Sequence, residues 1–344
     1  MDDELSIPNV HGLESELLTL WRRLLKSDML SIDDDFFVSG GDSLLAVDML
    51  LKMEKVLDCR LPEKILIGAE TIRQLAPRIA EAARLPASPC AHFNADGDTP
   101  PLFFFHGDLS TGGLQARRLI TPLAQDHPVA VIEPHGSCNG TVPHSIEQMA
   151  SDRLPLIMER QAQGPYRLAG FCNGALVAFE VAYLLDKAGQ KVEFVALIDP
   201  PVSSARPTMR ALLRLAKHTP LSCHLASLYQ TMNRYESFRK KSLRKKLAVI
   251  WSAMTRSHVP DAWWRVNKIF AAYTAAMAHY LPATLAVPVI FYAANFDGEA
   301  WRYLSPDLEV VELPGKHEFC MVSGAEILSE HLRQRMTASY SNRS

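Results

Sequence analysis

The stretch Tyr166-Arg-Leu-Ala-Gly-Phe-Cys-Asn-Gly-Ala-Leu-Val-Ala-Phe-Glu180 reads as a short buried strand, a sharp turn and an apolar helix. Cys172 stands at the turn, with Gly170 and Gly174 two residues to either side. That is the spacing of a nucleophile elbow, in which the reactive residue has a strained backbone and its neighbours must lack a β-carbon to pass closely. Leu176, Phe179, Glu180, Tyr183 and Leu184 recur at helical spacing after it. Gly-x-Cys-x-Gly alone would suit any strand-to-helix connection, so the motif depends on what surrounds it.

Outward from the elbow, apolar runs alternate with helical patterns. Pro101-Leu-Phe-Phe-Phe-His106 ends at Gly107-Asp108, Val129 to Ile132 ends in Glu133-Pro-His-Gly136, and a helix over residues 146–161 leads into the elbow strand. Val192 to Ile198, Val287 to Tyr292 and Leu308 to Leu313 supply further strands. Strands separated by helices predict a mostly parallel sheet covered on both faces, with its chemistry beyond the strands' C-terminal ends. Three of those ends carry reactive groups. Cys172 is at the elbow, Asp199 follows Ile198, and His317 follows the last strand in Leu313-Pro-Gly-Lys-His. Nucleophile, acid and histidine in that order match the triad of an α/β-hydrolase. Asp297, in Asn295-Phe-Asp just past another strand, is a rival acid. Residues 200 to 280 break the rhythm and are expected to form a helical lid, about 203–280. The basic run Arg239 to Lys246 lies there, as a solvated helix face or a landing surface for an acidic partner. Trp251, Trp263, Trp264 and Tyr273 are candidates for an acyl channel or for core.

The N-terminal part is different. Leu13, Leu17, Leu20, Trp21 and Leu24 fall on one face of a helix. After a loop with Asp33, Asp34 and Asp35, a second helix opens at Ser39-Gly-Gly-Asp-Ser-Leu, with Asp42 as a natural N-cap and Leu44, Val47, Leu50 and Leu51 facing inward. A short segment near Leu66 and a helix from Thr71 to Ala83 complete an expected four-helix bundle. The acidic run is either solvated or a guide for a basic partner enzyme. Residues 85–99, rich in Pro, Gly and small side chains, read as a linker.

Whole-chain numbers set bounds. At 344 residues the chain suggests two domains, and a formal net charge of −2 implies neither nucleic acid nor membrane as a partner. The acidic N-terminus lacks signal-peptide features, and no apolar run reaches the ~18 residues of a spanning helix, so a cytoplasmic protein is expected. The six cysteines have neither metal spacing nor disulfide-scaffold density, and no metal site is expected.

Asp35-Phe-Phe-Val-Ser-Gly-Gly-Asp-Ser-Leu44 resembles the phosphopantetheine attachment motif of acyl and peptidyl carrier proteins, nearer the peptidyl type, over residues 4–84. The resemblance implies that Ser43 carries a 4'-phosphopantetheine arm. A serine at a helix N-terminus suits a phosphodiester, which meets free N–H groups and the positive end of the helix dipole there. The second domain, residues 100–340, resembles over about Pro100 to Leu332 the α/β-hydrolase thioesterase domains that end nonribosomal peptide and polyketide assembly lines. The residues carrying this are Phe103-Phe-Phe-His-Gly107, Glu133-Pro-His-Gly136, Gly164 to Gly174, Leu197-Ile-Asp199 and Pro314-Gly-Lys-His317. Two departures are Cys172 in place of the commoner serine, and Ala175 where a second glycine often follows.

The resemblance implies release of an acyl or peptidyl thioester held on Ser43. Cys172 would be nucleophile, His317 base, and Asp199, favoured over Asp297, the orienting acid. Backbone N–H groups of Asn173 and of Gly107 or Asp108 would hold the oxyanion. Implied partners are a phosphopantetheinyl transferase and upstream synthase modules. Two alternatives stay open: a non-catalytic acyl-binding module, or a hydrolase acting on free thioesters. No adenylation, condensation or ketosynthase motif precedes Glu4, so either a discrete protein or the C-terminal piece of a synthase is expected. The acyl group, the acceptor and the oligomeric state are not legible.

Overall fold

The computed structural model describes residues 10–57, 61, 63–84, 89–109, 113–137, 141–201, 210–211, 214, 261–296, 298–317 and 320–341. The N-terminal domain comprises α1 (Val10–Leu25), α2 (Ser43–Leu57), a single 3-10 turn (Glu63–Leu66) and α3 (Ile72–Arg84). The expected fourth helix is therefore one turn. Leu13, Leu17, Leu20 and Trp21 line its core from α1. From α2, Leu50 is buried together with Ala46, Met49 and Met53, and Met49 Sδ accepts a hydrogen bond from Trp21 Nε1 at 2.8 Å. Asp42 caps α2 as expected, its Oδ1 accepting from the Leu45 amide at 2.8 Å.

The three aspartates hold their own loop. Asp34 accepts from the Ser31 amide, Asp35 from the amides of Phe37 and Val38, and Asp33 pairs with Arg73 of α3 at 2.5 Å. Short acidic side chains in a turn satisfy nearby backbone donors better than they attract distant partners.

The second domain is a sheet of seven strands: β1 (Cys90–Phe93), β2 (Leu102–Phe105), β3 (Val129–Ile132), β4 (Tyr166–Phe171), β5 (Val192–Ile198), β6 (Val289–Ala293) and β7 (Leu308–Glu312). Their order is β1-β3-β2-β4-β5-β6-β7, and every neighbouring pair is parallel except β1 with β3. β1 corrects the expectation of a linker over 85–99: Cys90 to Phe93 pair with Ile132 to Val129 along an edge that would otherwise be open. β6 begins later than its apolar run because Pro288 has no N–H to give to the ladder.

Alternation along the strands divides the core into two. Phe103, Phe105, Leu168, Val195 and Leu197 face one cluster, and Leu102, Phe104, Ala169, Phe194 and Ile198 face the other. The α-helices of this domain among the described residues are α4 (Arg117–Asp126), α5 (Ile146–Arg160), α6 (Asn173–Lys187), α7 (Asp261–His279), the single-turn α8 (Cys320–Ser323) and α9 (Ala325–Ser341). Most of the expected lid, including Arg239 to Lys246 and Trp251, lies outside the described residues. Among the described residues no helix is long and apolar enough to cross a membrane, and no cluster of side chains could hold a metal ion.

Candidate active site

The elbow needs both of its glycines. A β-carbon on Gly170 would lie 2.5 Å from the Gly174 carbonyl oxygen, and one on Gly174 would lie 2.2 Å from that of Phe105. Between them Cys172 takes φ 55° and ψ −121°, a region L-residues rarely enter. It is partly exposed, and α6 begins at the next residue, so its sulfur stands at a helix N-terminus.

Asp199 follows β5, is fully buried and also has a positive φ, 43°. Its Oδ1 accepts three backbone N–H bonds, from Ala294, Asn295 and Phe296, at 2.8 to 2.9 Å. Its Oδ2 lies 2.7 Å from His317 Nδ1. Three amides on one oxygen fix the carboxylate so that the other can orient the imidazole. Asp297, the rival acid, lies outside the described residues; the three residues before it serve Asp199. The His317 ring is stacked on Phe171, centroids 5.2 Å apart, and meets Phe296 edge-on at 5.7 Å. Burial alone pushes the His317 pKa down, but negative charge on the Cys172 sulfur and the Asp199 carboxylate outweigh it and lift the value to about 10. The balance therefore favours the imidazolium form of His317.

The loop after β2 closes the site. A β-carbon on Gly107 would fall 2.1 Å from the Phe171 carbonyl oxygen and 2.9 Å from the Asn173 amide nitrogen. Asn173 Nδ2 donates to the Gly107 carbonyl at 2.9 Å, and Asp108 is buried beside it. Gly107 thus lies against the first amides of α6, and no α-substituent would fit.

Four residues around the site were given no part in it by the sequence reading. Phe171 and Phe296 set the tilt of His317. Cys320 Sγ lies 3.3 Å from the His317 carbonyl oxygen, and burial with the nearby Asp199 and Cys172 charges pushes its thiol up to about 12, so it stays protonated. His135, at the end of β3, is pushed down to about 4 by burial and Arg153, while its amide donates to Tyr273 Oη at 2.7 Å. Tyr273 is core; the side chains of Trp263 and Trp264 lie outside the described set.

Ser43 is the first residue of α2. Gly41 and Asp42, just before it, line a cleft shared with Gln115, Arg117 and Arg118 of the second domain. Cations and a helix N-terminus near Ser43 suit an anionic group there.

Residues 100–258 match the family described as thioesterase domain, and residues 15–79 the one described as phosphopantetheine attachment site. Indigoidine synthase of Dickeya dadantii (strain 3937) is 35% identical over 191 residues, 55% of this chain and 13% of that protein. A dimodular nonribosomal peptide synthase of Bacillus subtilis (strain 168) is 30% identical over 212 residues, 59% of this chain and 9% of that protein. The chain thus spans only a small part of these relatives' length. The crystal structure of a four-domain nonribosomal peptide synthetase bound to AMP and glycine superposes on 97% of this chain and 26% of its own, with a TM-score of 0.53 at 22% identity, a likeness of fold. A carrier domain implies, in general, a phosphopantetheinyl transferase and synthase domains as partners. The chain carries a phosphopantetheine attachment domain followed by a thioesterase domain with the α/β-hydrolase fold, and it is similar to part of nonribosomal peptide synthetases.

Proposed function

We propose that this chain releases an acyl or peptidyl group held on Ser43, through a Cys172, His317 and Asp199 triad. The observation that carries the reading is His317, hydrogen-bonded to buried Asp199 and raised to about 10 by the Cys172 sulfur, at a strained elbow in a chain that also holds a carrier domain. A phosphopantetheine arm on Ser43 supplies the thiol that carries the substrate as a thioester, and the reach to deliver it.

Cys172 Sγ attacks the thioester carbonyl carbon, forming a new carbon–sulfur bond. The oxyanion is held by the Asn173 amide and one from Gly107 or Asp108, at the positive end of α6. As the tetrahedral centre collapses, the original carbon–sulfur bond breaks and His317 gives its proton to the departing sulfur. His317, held by Asp199, then takes a proton from water, an amine or a hydroxyl, which attacks the acyl carbon and frees Cys172. The acyl-Cys172 bond is itself a thioester and keeps its activation, which favours transfer to a weak nucleophile or ring closure over simple hydrolysis. The free thiols Cys90, Cys172 and Cys320 fit a reducing, cytoplasmic setting.

Intact-protein mass spectrometry tests this. Incubation with a phosphopantetheinyl transferase and an acyl-coenzyme A should add one acylated arm, absent in Ser43→Ala and lasting in Cys172→Ala, while the unaltered protein sheds the acyl group. Faster turnover of a soluble thioester than of the tethered one would overturn the carrier-linked reading.

A further inference from the structure

One buried side chain at the elbow breaks the local pattern. At the start of α6, Gly174-Ala-Leu-Val-Ala-Phe179 are all buried and non-polar, whereas Asn173, at the first helical position, is polar and only 3% exposed. Asparagine is a poor helix former and serves a helix chiefly as its N-cap, by accepting from the amides of the first turn. Here Cys172 occupies the N-cap, and Asn173 Oδ1, shielded from solvent, accepts from no described residue. Burying an amide in this way costs free energy, and an apolar helix former would suit the position better.

The other end of the amide explains the residue. Asn173 Nδ2 donates to the Gly107 carbonyl at 2.9 Å, across 66 positions of chain. A carbonyl oxygen only accepts, so the end of the amide that meets it is the nitrogen. Neither an apolar side chain nor an ionised carboxylate of the same shape could make this bond.

The bond acts on a peptide plane. The Gly107 carbonyl and the Asp108 N–H belong to one trans peptide unit and point in opposite directions, so holding the oxygen sets the direction of the hydrogen. Gly107 itself lies against the start of α6, since a β-carbon there would fall 2.7 Å from the Gly174 amide nitrogen and 2.9 Å from that of Asn173. Close contact thus places the Gly107 α-carbon, and the Asn173 side chain fixes the rotation of the peptide that follows it.

We infer that the Asn173 side chain is a positioning residue of the oxyanion hole: by holding the Gly107 carbonyl it aims the Asp108 N–H at the carbonyl oxygen of a thioester attacked by Cys172. Asn173 then serves the hole twice, donating from its own backbone and orienting the second donor. The inference rests on the acyl-transfer role proposed for Cys172.

The test compares a reaction that builds an oxyanion with one that does not. Acyl transfer to Cys172 passes through a tetrahedral oxyanion, whereas alkylation by iodoacetamide displaces iodide from a saturated carbon and forms none. The full chain, loaded from octanoyl-coenzyme A by a phosphopantetheinyl transferase, is followed by intact mass for loss of the octanoyl group. The apo protein is alkylated at neutral pH and read at the Cys172 peptide. Asn173→Leu keeps the volume and the backbone N–H but removes the amide, and release should fall about 10- to 100-fold, up to the loss expected for removing an oxyanion donor outright. Cys172 should alkylate at the parent's rate. Asn173→Ala should behave alike, and Asn173→Gln, with its donor on a longer stem, should recover part of the release. Release at the parent's rate in both Asn173→Leu and Asn173→Ala would overturn the inference. So would alkylation that changes in step with release, because the variants would then have disturbed the elbow itself. A parent that keeps its octanoyl group, or a Cys172→Ala variant that sheds it equally fast, would overturn the acyl-transfer reading and this inference with it.

Discussion

At the scale of the residue, the site turns on how charge is shared among Cys172, His317 and Asp199. His317 stays protonated up to about 10, so through the neutral range it stands as a cation beside the Cys172 sulfur. Alkylation of Cys172 by iodoacetamide at neutral pH should therefore be slower in His317→Ala than in the parent, where a neighbouring cation favours the nucleophilic form of sulfur. Equal rates would remove the charge interaction from the mechanism. Asp199→Asn keeps the shape of the carboxylate but loses its charge and its preference for the correct tautomer. The amide replacement costs about four orders of magnitude in a serine protease, and the loss should be smaller here because a thiolate depends less on its base. We expect release of the acyl group to fall at least ~100-fold in Asp199→Asn and little in Asp297→Asn, read as loss of acyl mass with time. The reverse ranking would move the acid to the loop after β6. Cys172→Ser should slow release or shift products toward hydrolysis, and an unchanged product ratio would end the argument that sulfur serves the acceptor step.

At the scale of the element, β4 and its turn carry the constraints. The Gly174 position faces backbone rather than a movable side chain, since a β-carbon there would meet the Phe105 carbonyl at 2.2 Å. Gly174→Ala should cost roughly 1–3 kcal/mol in urea unfolding and abolish release while leaving loading of Ser43 intact. β4 also contains a buried cation. Arg167 pairs with Glu193 of β5 at 3.0 Å and donates to the carbonyls of Pro100 and Met336, so it joins the elbow strand to its neighbour and to α9. Arg167→Met strands a buried carboxylate and should destabilise by roughly 3–5 kcal/mol, whereas adding Glu193→Leu should recover most of that. If the single and double variants unfold alike, the pair is not what makes the position costly.

At the scale of the whole molecule, the domains meet through a small mixed contact. Ile67, from just after the carrier's 3-10 turn, is fully buried in the cluster that contains Leu119 and Ile120 of α4, and Arg117 grips Phe37 and Glu70. A partly exposed cation–π contact with one ion pair is worth about 1 kcal/mol, or roughly five-fold in a docking equilibrium. Arg117→Glu should increase the radius of gyration in small-angle X-ray scattering without lowering the content of secondary structure. High salt should act on the parent protein in the same direction, more weakly. A radius unaffected by either change would mean that the apolar contact at Ile67 alone sets the arrangement.

Much of this was legible in one dimension because it depends on local periodicity and local sterics. The continuous apolar strands, the Gly-x-Cys-x-Gly turn and the Asp42 cap announce themselves within a few residues, since a strand buried on both faces must be apolar throughout and a tight turn must lack β-carbons. The Gly-Gly-Asp-Ser-Leu motif is equally local. Other features depend on residues far apart in the chain. β1, Cys90-Ala-His-Phe93, lies in a stretch rich in Pro and small residues, and only the open edge of β3 makes it a strand. Asp199 is set apart by three amides nearly a hundred positions away, and Phe171 and Phe296 reach His317 from separate strand ends. The cleft holding Gln115 and Arg118 exists only because two domains, each readable alone, lie against one another. Periodicity encodes which face of an element is buried, but not which distant group will be buried against it, and it is that second choice that sets Asp199 against His317 beside the Cys172 sulfur.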